Sequence, residues 1–369
     1  MASTGTPSPV SDELRLPKTL HRGRGSAVNP AGRYEKTQNI CFDDNWDSLN
    51  TLAPLNTSVT SEKARSVIIR NDSPDIPFDR SINPYRGCEH GCTYCFARPS
   101  HAYIGLSAGL DFETRLYSKD NCADVLEREL SSPSYKPRTI AIGTNTDPYQ
   151  PIEREREVMR NVLRVLERYQ HPVTIVTKSS LILRDLDILE KLAENNLVKV
   201  ALSVTTLDHR VSRSMEPRAS SPKRRLEAIR SLTTAGVQTA VMVAPVIPGL
   251  TDHEIERILE EAKLAGASEA SYILLRLPKE VAPLFKEWLL RDHPGKYRHV
   301  LSLIRSMRNG KDYDFQWNKR FLGEGPYAQQ LEKRFSLACK RLKIGSRSQN
   351  LTSNHFISPQ KGGVQLSLL

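Results

Sequence analysis

The chain reads as an α/β protein whose strands form one parallel sheet or barrel. Three observations predict this. Short β-branched runs recur and are apolar almost throughout, as strands buried on both faces are. Amphipathic segments lie between them. Strand follows strand at roughly 30–35 residues, the length of one β–α unit.

Residues 1–60, rich in Ser, Thr, Pro, Asn and Gly, show no sustained apolar period and are expected to be mostly disordered. One island there, His21-Arg22-Gly23-Arg24-Gly25-Ser26, pairs arginine with glycine in a way suited to gripping phosphate. The regular domain is expected over 61–278. Its first strand falls near residues 82–86 and leads into a cysteine-rich loop; a helix is expected over 121–130. Strands follow at 139–143, 173–177, 198–204, 239–244 and 270–275. Between them, Val158, Val162, Leu163, Val165 and Leu166 share a face of a helix over 156–169, and Leu186, Leu189 and Leu192 share one over 183–195. Ser221 is a natural N-cap for a helix over 222–235 that stops at Gly236, and a helix over 252–265 stops at Gly266. The count reaches six β–α units. Beyond Pro278, segments 281–290, 297–307 and 327–342 read as helices with no further strand. They predict a C-terminal helical extension over 279–345, followed by a disordered tail over 346–369.

The chain has 369 residues, 38% of them hydrophobic, which suffices for a sizeable core. Its formal charge of +11 favours a polyanionic partner such as nucleic acid. No apolar run is long enough to span a bilayer, and residues 1–30 lack the apolar stretch of a secretory signal, so a cytoplasmic protein with no membrane partner is expected.

The most informative stretch is Arg86-Gly87-Cys88-Glu89-His90-Gly91-Cys92-Thr93-Tyr94-Cys95-Phe96-Ala97-Arg98. Three thiolates in one short loop can hold three corners of a 4Fe–4S cluster, leaving the fourth iron open to a non-protein ligand. A structural zinc site usually takes four protein ligands from two Cys-x2-Cys knuckles. The second knuckle is absent here, although His90 lies inside the loop. Six cysteines, three of them clustered, do not make a disulfide framework.

The Cys-x3-Cys-x2-Cys spacing with Tyr94 before the third cysteine resembles the signature of radical S-adenosylmethionine (SAM) enzymes. The words Asn83-Pro84-Tyr85-Arg86-Gly87-Cys88 and Tyr94-Cys95-Phe96-Ala97-Arg98 resemble the branch related to spore photoproduct lyase, described as DNA repair photolyase-like. The resemblance implies a partial (β/α)6 barrel with a C-terminal helical cap. It also implies a 4Fe–4S cluster on Cys88, Cys92 and Cys95, and reductive cleavage of SAM to a 5′-deoxyadenosyl radical. A flavodoxin- or ferredoxin-type reductant would supply the electron, and the substrate would be DNA or another nucleic acid. Rival readings are modification of a protein, peptide or metabolite, and a non-catalytic cluster-binding sensor associated with DNA.

Active sites of parallel α/β folds gather at the C-terminal ends of the strands. There the resemblance places Tyr94 beside the cofactor, Thr146 and Asp147 against the SAM ammonium, and Lys178 and Ser203 against SAM at the next two strand ends. Arg218 would meet the SAM carboxylate or a substrate phosphate. The apolar loop 245–250 would pack on adenine. A lyase of this kind can use a cysteine as hydrogen donor. Cys122 is the candidate, with a buried structural thiol as the alternative; the family's donor motif is not recognisable. The terminal Gln365-Leu366-Ser367-Leu368-Leu369 resembles the peptide by which bacterial repair proteins dock on the sliding clamp.

Overall fold

The computed structural model describes residues 21, 23–35, 55–345 and 351–357. Among the described residues there are ten strands: β1 (Ser58–Ser61), β2 (Ile69–Arg70), β3 (Arg80–Ile82), β4 (Tyr85–Arg86), β5 (Arg115–Ser118), β6 (Ile140–Ile142), β7 (Val173–Thr177), β8 (Val198–Ser203), β9 (Gln238–Val246) and β10 (Glu269–Leu274). Seven form one sheet in the order β10-β9-β8-β7-β6-β3-β2. All its pairs are parallel except β2 with β3, which closes one edge. Spatial order follows chain order through the six parallel strands, and the result is a partial (β/α)6 barrel.

The expected first strand at 82–86 is in fact divided. Asn83-Pro84 ends β3, because proline has no N–H for the ladder. The Pro84 carbonyl instead accepts a bond from Lys119 N at 3.0 Å. Tyr85–Arg86 then pairs with β5 in a separate sheet of order β1-β5-β4. This small sheet carries the chain into the cysteine loop.

The other elements follow their residues. Val173, Ile175 and Thr177 of β7 alternate inward, and β8 is buried almost throughout. The helix Pro222–Thr234 starts with Ser221 Oγ accepting from Arg224 N at 3.5 Å. Its main-chain turn follows at Gly236, where φ is +77°. After β10, helices Val281–Asp292 and Tyr297–Ser306 build a second core in which Phe285, Trp288, Val300 and Ile304 meet Met215, Ile247, Leu250, Cys92 and Tyr94. The helix Pro326–Leu342 returns to the main core through Leu331, Phe335 and Ala338, and Arg334 pairs with Glu256 at 2.7 Å.

Two stretches expected to be disordered are packed. Residues 23–35 run against the cysteine loop, where Gly25 N and Ser26 N each donate to the buried Glu113 carboxylate at 2.9 Å. Arg24 does not present itself to a phosphate: its guanidinium donates to the Glu113 and Leu55 carbonyls and to Thr57 Oγ1. In the tail, Phe356 packs against the rings of Tyr135, Tyr169 and His171. Arg22, Cys41 and the Gln365–Leu369 peptide lie outside the described residues. Among the described residues, no helix is long and apolar enough to cross a membrane.

Candidate active site

The cysteine loop is held by backbone geometry and by one buried arginine. Cys88 N donates to Phe112 O at 2.9 Å, Cys95 N to Cys92 O at 3.2 Å and Thr93 N to Met215 O at 3.0 Å. Gly91 has φ +66°, and a Cβ there would fall 2.7 Å from Glu113 Oε2. Gly25 of the N-terminal segment approaches so closely that its Cβ would lie 1.7 Å from Gly91 O. Arg98 is fully buried. It donates to the carbonyls of Cys92, Ala108 and Gly109 and pairs with Glu113 at 2.5 Å. Gln150 fastens the loop to the β6 side, accepting from Glu89 N at 2.8 Å and donating to Gly87 O at 3.2 Å.

Cys88, Cys92 and Cys95 are free thiols on the wall of one cavity at the C-terminal ends of the parallel strands. Burial pushes all three thiol pKa values up. Three thiolates on one wall are a donor set for three irons of a cubane cluster. The donor set therefore fits an iron–sulfur cluster, and the same cavity is lined by Asn145, Asp147, Lys178, Ser203 and Pro245.

Lys178 Nζ donates to Ser203 Oγ at 2.7 Å, and Ser203 Oγ donates to Ala244 O at 2.8 Å. The ammonium lies 5.8 Å from the centre of the Tyr94 ring. Two expected residues thus meet across neighbouring strands, with a third beside them. Asp147 also lines the cavity, but its oxygens are engaged. They accept from Thr177 Oγ1 at 2.7 Å, Tyr149 N at 2.9 Å and Lys178 N at 2.8 Å, with His90 Nδ1 at 3.4 Å. Burial opposes its ionisation, yet His90 and these donors hold the carboxyl at about 2. Its visible role is to fix the start of the loop that carries Lys178.

Three candidates lie outside this cavity, and for Cys122 the alternative of a buried structural thiol holds. Thr146 turns away from the cavity and donates to Tyr85 O at 2.9 Å. Arg218 is not in this cavity: it pairs with Glu89 at 3.0 Å and lines an outer groove with Arg154, Arg184 and Arg224. Cys122 is buried in the main core under its helix, and burial pushes its thiol up to about 12. At the end of β9, Pro245 reaches the cavity, while Ile247 and Leu250 of the following loop belong to the second core.

A network unforeseen from the sequence lies beneath Tyr94. The Tyr94 hydroxyl donates to Glu216, which also accepts from Thr205 Oγ1 at 2.7 Å and from the Arg225 guanidinium. Arg225 continues to Ser203 O at 2.9 Å and Ser220 O at 2.7 Å. Tyr94, Ser203, Thr205, Glu216 and Arg225 are all buried. Arg276, two residues past the end of β10, also lines the cavity together with Phe96. An arginine directly after a buried final strand was the readable signal for it.

The family model described as the radical SAM superfamily matches residues 82–262. An uncharacterized protein of Mycobacterium tuberculosis is 39% identical over 230 residues, 61% of this chain and 68% of that protein. The Radical SAM Nalpha-GlyT isomerase of Pseudomonas phage M6 is 28% identical over 193 residues, 50% of this chain and 36% of that one. The structure of spore photoproduct lyase complexed with dinucleoside spore photoproduct shares the fold, with a TM-score of 0.57 at 16% identity over 78% of this chain and 80% of that one.

Proposed function

The chain belongs to the radical SAM superfamily, and we propose that it acts on nucleic acid with a 4Fe–4S cluster on Cys88, Cys92 and Cys95 and with SAM in the adjoining cavity. The observation that carries this reading is the meeting of three loop thiols with Lys178 and Ser203 on one cavity wall. When bound, cluster and SAM supply one-electron cleavage of a sulfonium carbon–sulfur bond and the means to take hydrogen from unactivated carbon.

The chain's own residues hold and screen that chemistry. Lys178 offers a cation for the SAM carboxylate, and its hydrogen bond to Ser203 fixes where it points. The Asn145 side chain adds an amide to the same wall. Tyr94 is clamped by Glu216 and covers the cavity floor beside Cys95. Met242, Ile273 and Leu274 give the remaining wall an apolar lining that excludes stray hydrogen donors. An acidic flavodoxin- or ferredoxin-type donor suits the outer groove, where Arg154, Arg218 and Arg224 flank Glu89 and His90 of the cluster loop.

Nucleic acid as substrate is supported by the charge of +11. Spore photoproduct lyase, crystallised with a dinucleoside, supports only the fold at this identity. The test is anaerobic reconstitution followed by SAM cleavage under dithionite, with and without DNA. The expected result is 5′-deoxyadenosine and methionine, formed faster with DNA. Cleavage indifferent to every nucleic acid would favour a peptide or metabolite substrate. A cluster-loaded protein that never cleaves SAM would leave the sensor reading.

A further inference from the structure

We propose that Arg276, Arg308 and the rings of Phe96, Tyr313 and Phe315 form a nucleotide subsite at the cavity mouth, with an unpaired base on the exposed rings and a phosphate on Arg276. This rests on the reading of the cavity as a radical SAM site acting on nucleic acid, and it names where the substrate is gripped.

The Arg276 guanidinium lies 4.5 Å from the Phe96 ring centre and 4.8 Å from that of Phe321. Its Nε and Nη2 donate to Tyr313 Oη, each at 3.3 Å. Arg308 faces the same tyrosine ring at 5.4 Å. It is 2% exposed, donates through Nη2 to Leu275 O at 2.8 Å, and has no hydrogen-bond partner for Nη1 among the described residues. Among the described residues, neither guanidinium has a carboxylate within ion-pair distance. The nearby acids are engaged elsewhere: Asp314 accepts from Gln316 N at 2.9 Å, and Asp312 pairs with Lys286 at 2.6 Å and Arg305 at 2.8 Å. Arg276 on the cavity wall, backed by the buried Arg308 whose Nη2 also donates to Arg320 O at 3.3 Å, presents positive charge with no carboxylate at contact distance, which favours an anion.

The rings say which anion. Phe96 is 41% and Phe315 61% exposed, unusual for side chains of this size beside a cavity. Phe315 stands edge-on to Tyr313 with ring centres 4.6 Å apart. The segment does not collapse over the mouth, because Leu274 N donates to Phe321 O at 2.8 Å and Arg320 is tied to Asp75 at 2.5 Å and Ser73 at 2.6 Å. A bare phosphate would have no use for the rings, and an acidic peptide would use the cations alone. A nucleotide uses both: stacking on aromatic faces and a guanidinium on phosphate are how unpaired strands are held.

The test measures anisotropy of a labelled single-stranded octathymidylate on full-length, cluster-loaded protein. Phe315→Ala is expected to weaken binding about 5- to 150-fold, the range for one lost base–ring stack. Arg276→Gln is expected to weaken it and to reduce the salt slope by about 0.7, the value for one phosphate of a single strand. Iron content and melting temperature check folding. Should Arg276→Gln unfold through loss of its Tyr313 contact, the exposed Phe315 still decides the matter. Equal affinity in wild type and folded Phe315→Ala overturns the subsite, as does competition by polyglutamate matching that of octathymidylate. SAM cleavage on the same samples separates the two ideas. Cleavage without ring-dependent oligonucleotide binding removes the subsite alone; ring-dependent binding without cleavage supports the subsite and removes the enzymatic reading.

Discussion

Replacing Arg225 with methionine should destabilise the barrel by about 3–5 kcal/mol, the cost of breaking a buried ion pair. Arg225 is 1% exposed and Glu216 2% exposed, so the substitution leaves a carboxylate stranded away from water. Losing one partner of a buried pair costs about 3–5 kcal/mol. Burial opposes ionisation of Glu216, but Arg225 first and then Lys178 hold its carboxyl at about 2, against an ordinary 4.5. The folded-state pKa is depressed, so this stability is complete above pH 4.5 and is lost as pH falls toward 2. Urea unfolding at pH 7 should therefore show the full gap between wild type and Arg225→Met, and the gap should shrink below about pH 4.5. Glu216→Gln placed on top should restore part of the loss, because the stranded charge is then gone. SAM affinity should fall as well, since Arg225 holds the Ser203 carbonyl and Glu216 holds Tyr94. A loss under about 1 kcal/mol at pH 7, or a gap that does not change with pH, would refute this reasoning.

The other predictions concern the cofactors and a buried histidine. Serine at Cys88, Cys92 and Cys95 together should abolish the roughly four irons and four sulfides expected per chain, as read by iron and sulfide assay; a triple variant that keeps its cluster would remove the assignment. Lys178→Met and Ser203→Ala should each weaken SAM binding by about 1–3 kcal/mol with the cluster retained, measured by anaerobic calorimetry; unchanged affinity in both would put SAM elsewhere. Burial lowers the His171 pKa to about 4, so the neutral ring is the form the fold keeps. Stability should fall as pH drops from about 6.5 toward 4, and His171→Gln should flatten that slope in urea titrations.

What the sequence determined by itself is what local pattern encodes. The three cysteines lie within eight residues of one another, so their spacing alone puts all three thiols on one short loop. The alternation of apolar strands with amphipathic helices specifies six parallel units, because each unit's period and caps are written within about 30 residues. Lys178 and Ser203 were legible as strand-end residues, since strand ends define the site edge in this fold.

Only the tertiary structure decided which side chains face the cavity and which charges find partners. Thr146 and Asp147 are adjacent in sequence, but one turns to Tyr85 and the other to the cavity wall, a direction set by the local path of the backbone. Tyr94 and Glu216 are 122 positions apart, and their pairing is invisible until β8 and the cysteine loop are brought together. Arg225 reads as one more solvated arginine on a helix until its partner is known, and residues 23–35 read as disordered until Arg98 and Glu113 supply something to dock against. The physical reason is common to all of these. A periodic pattern reports which face is apolar, but the cost of burying a charge or a backbone amide is offset only by a partner that the fold delivers from elsewhere in the chain.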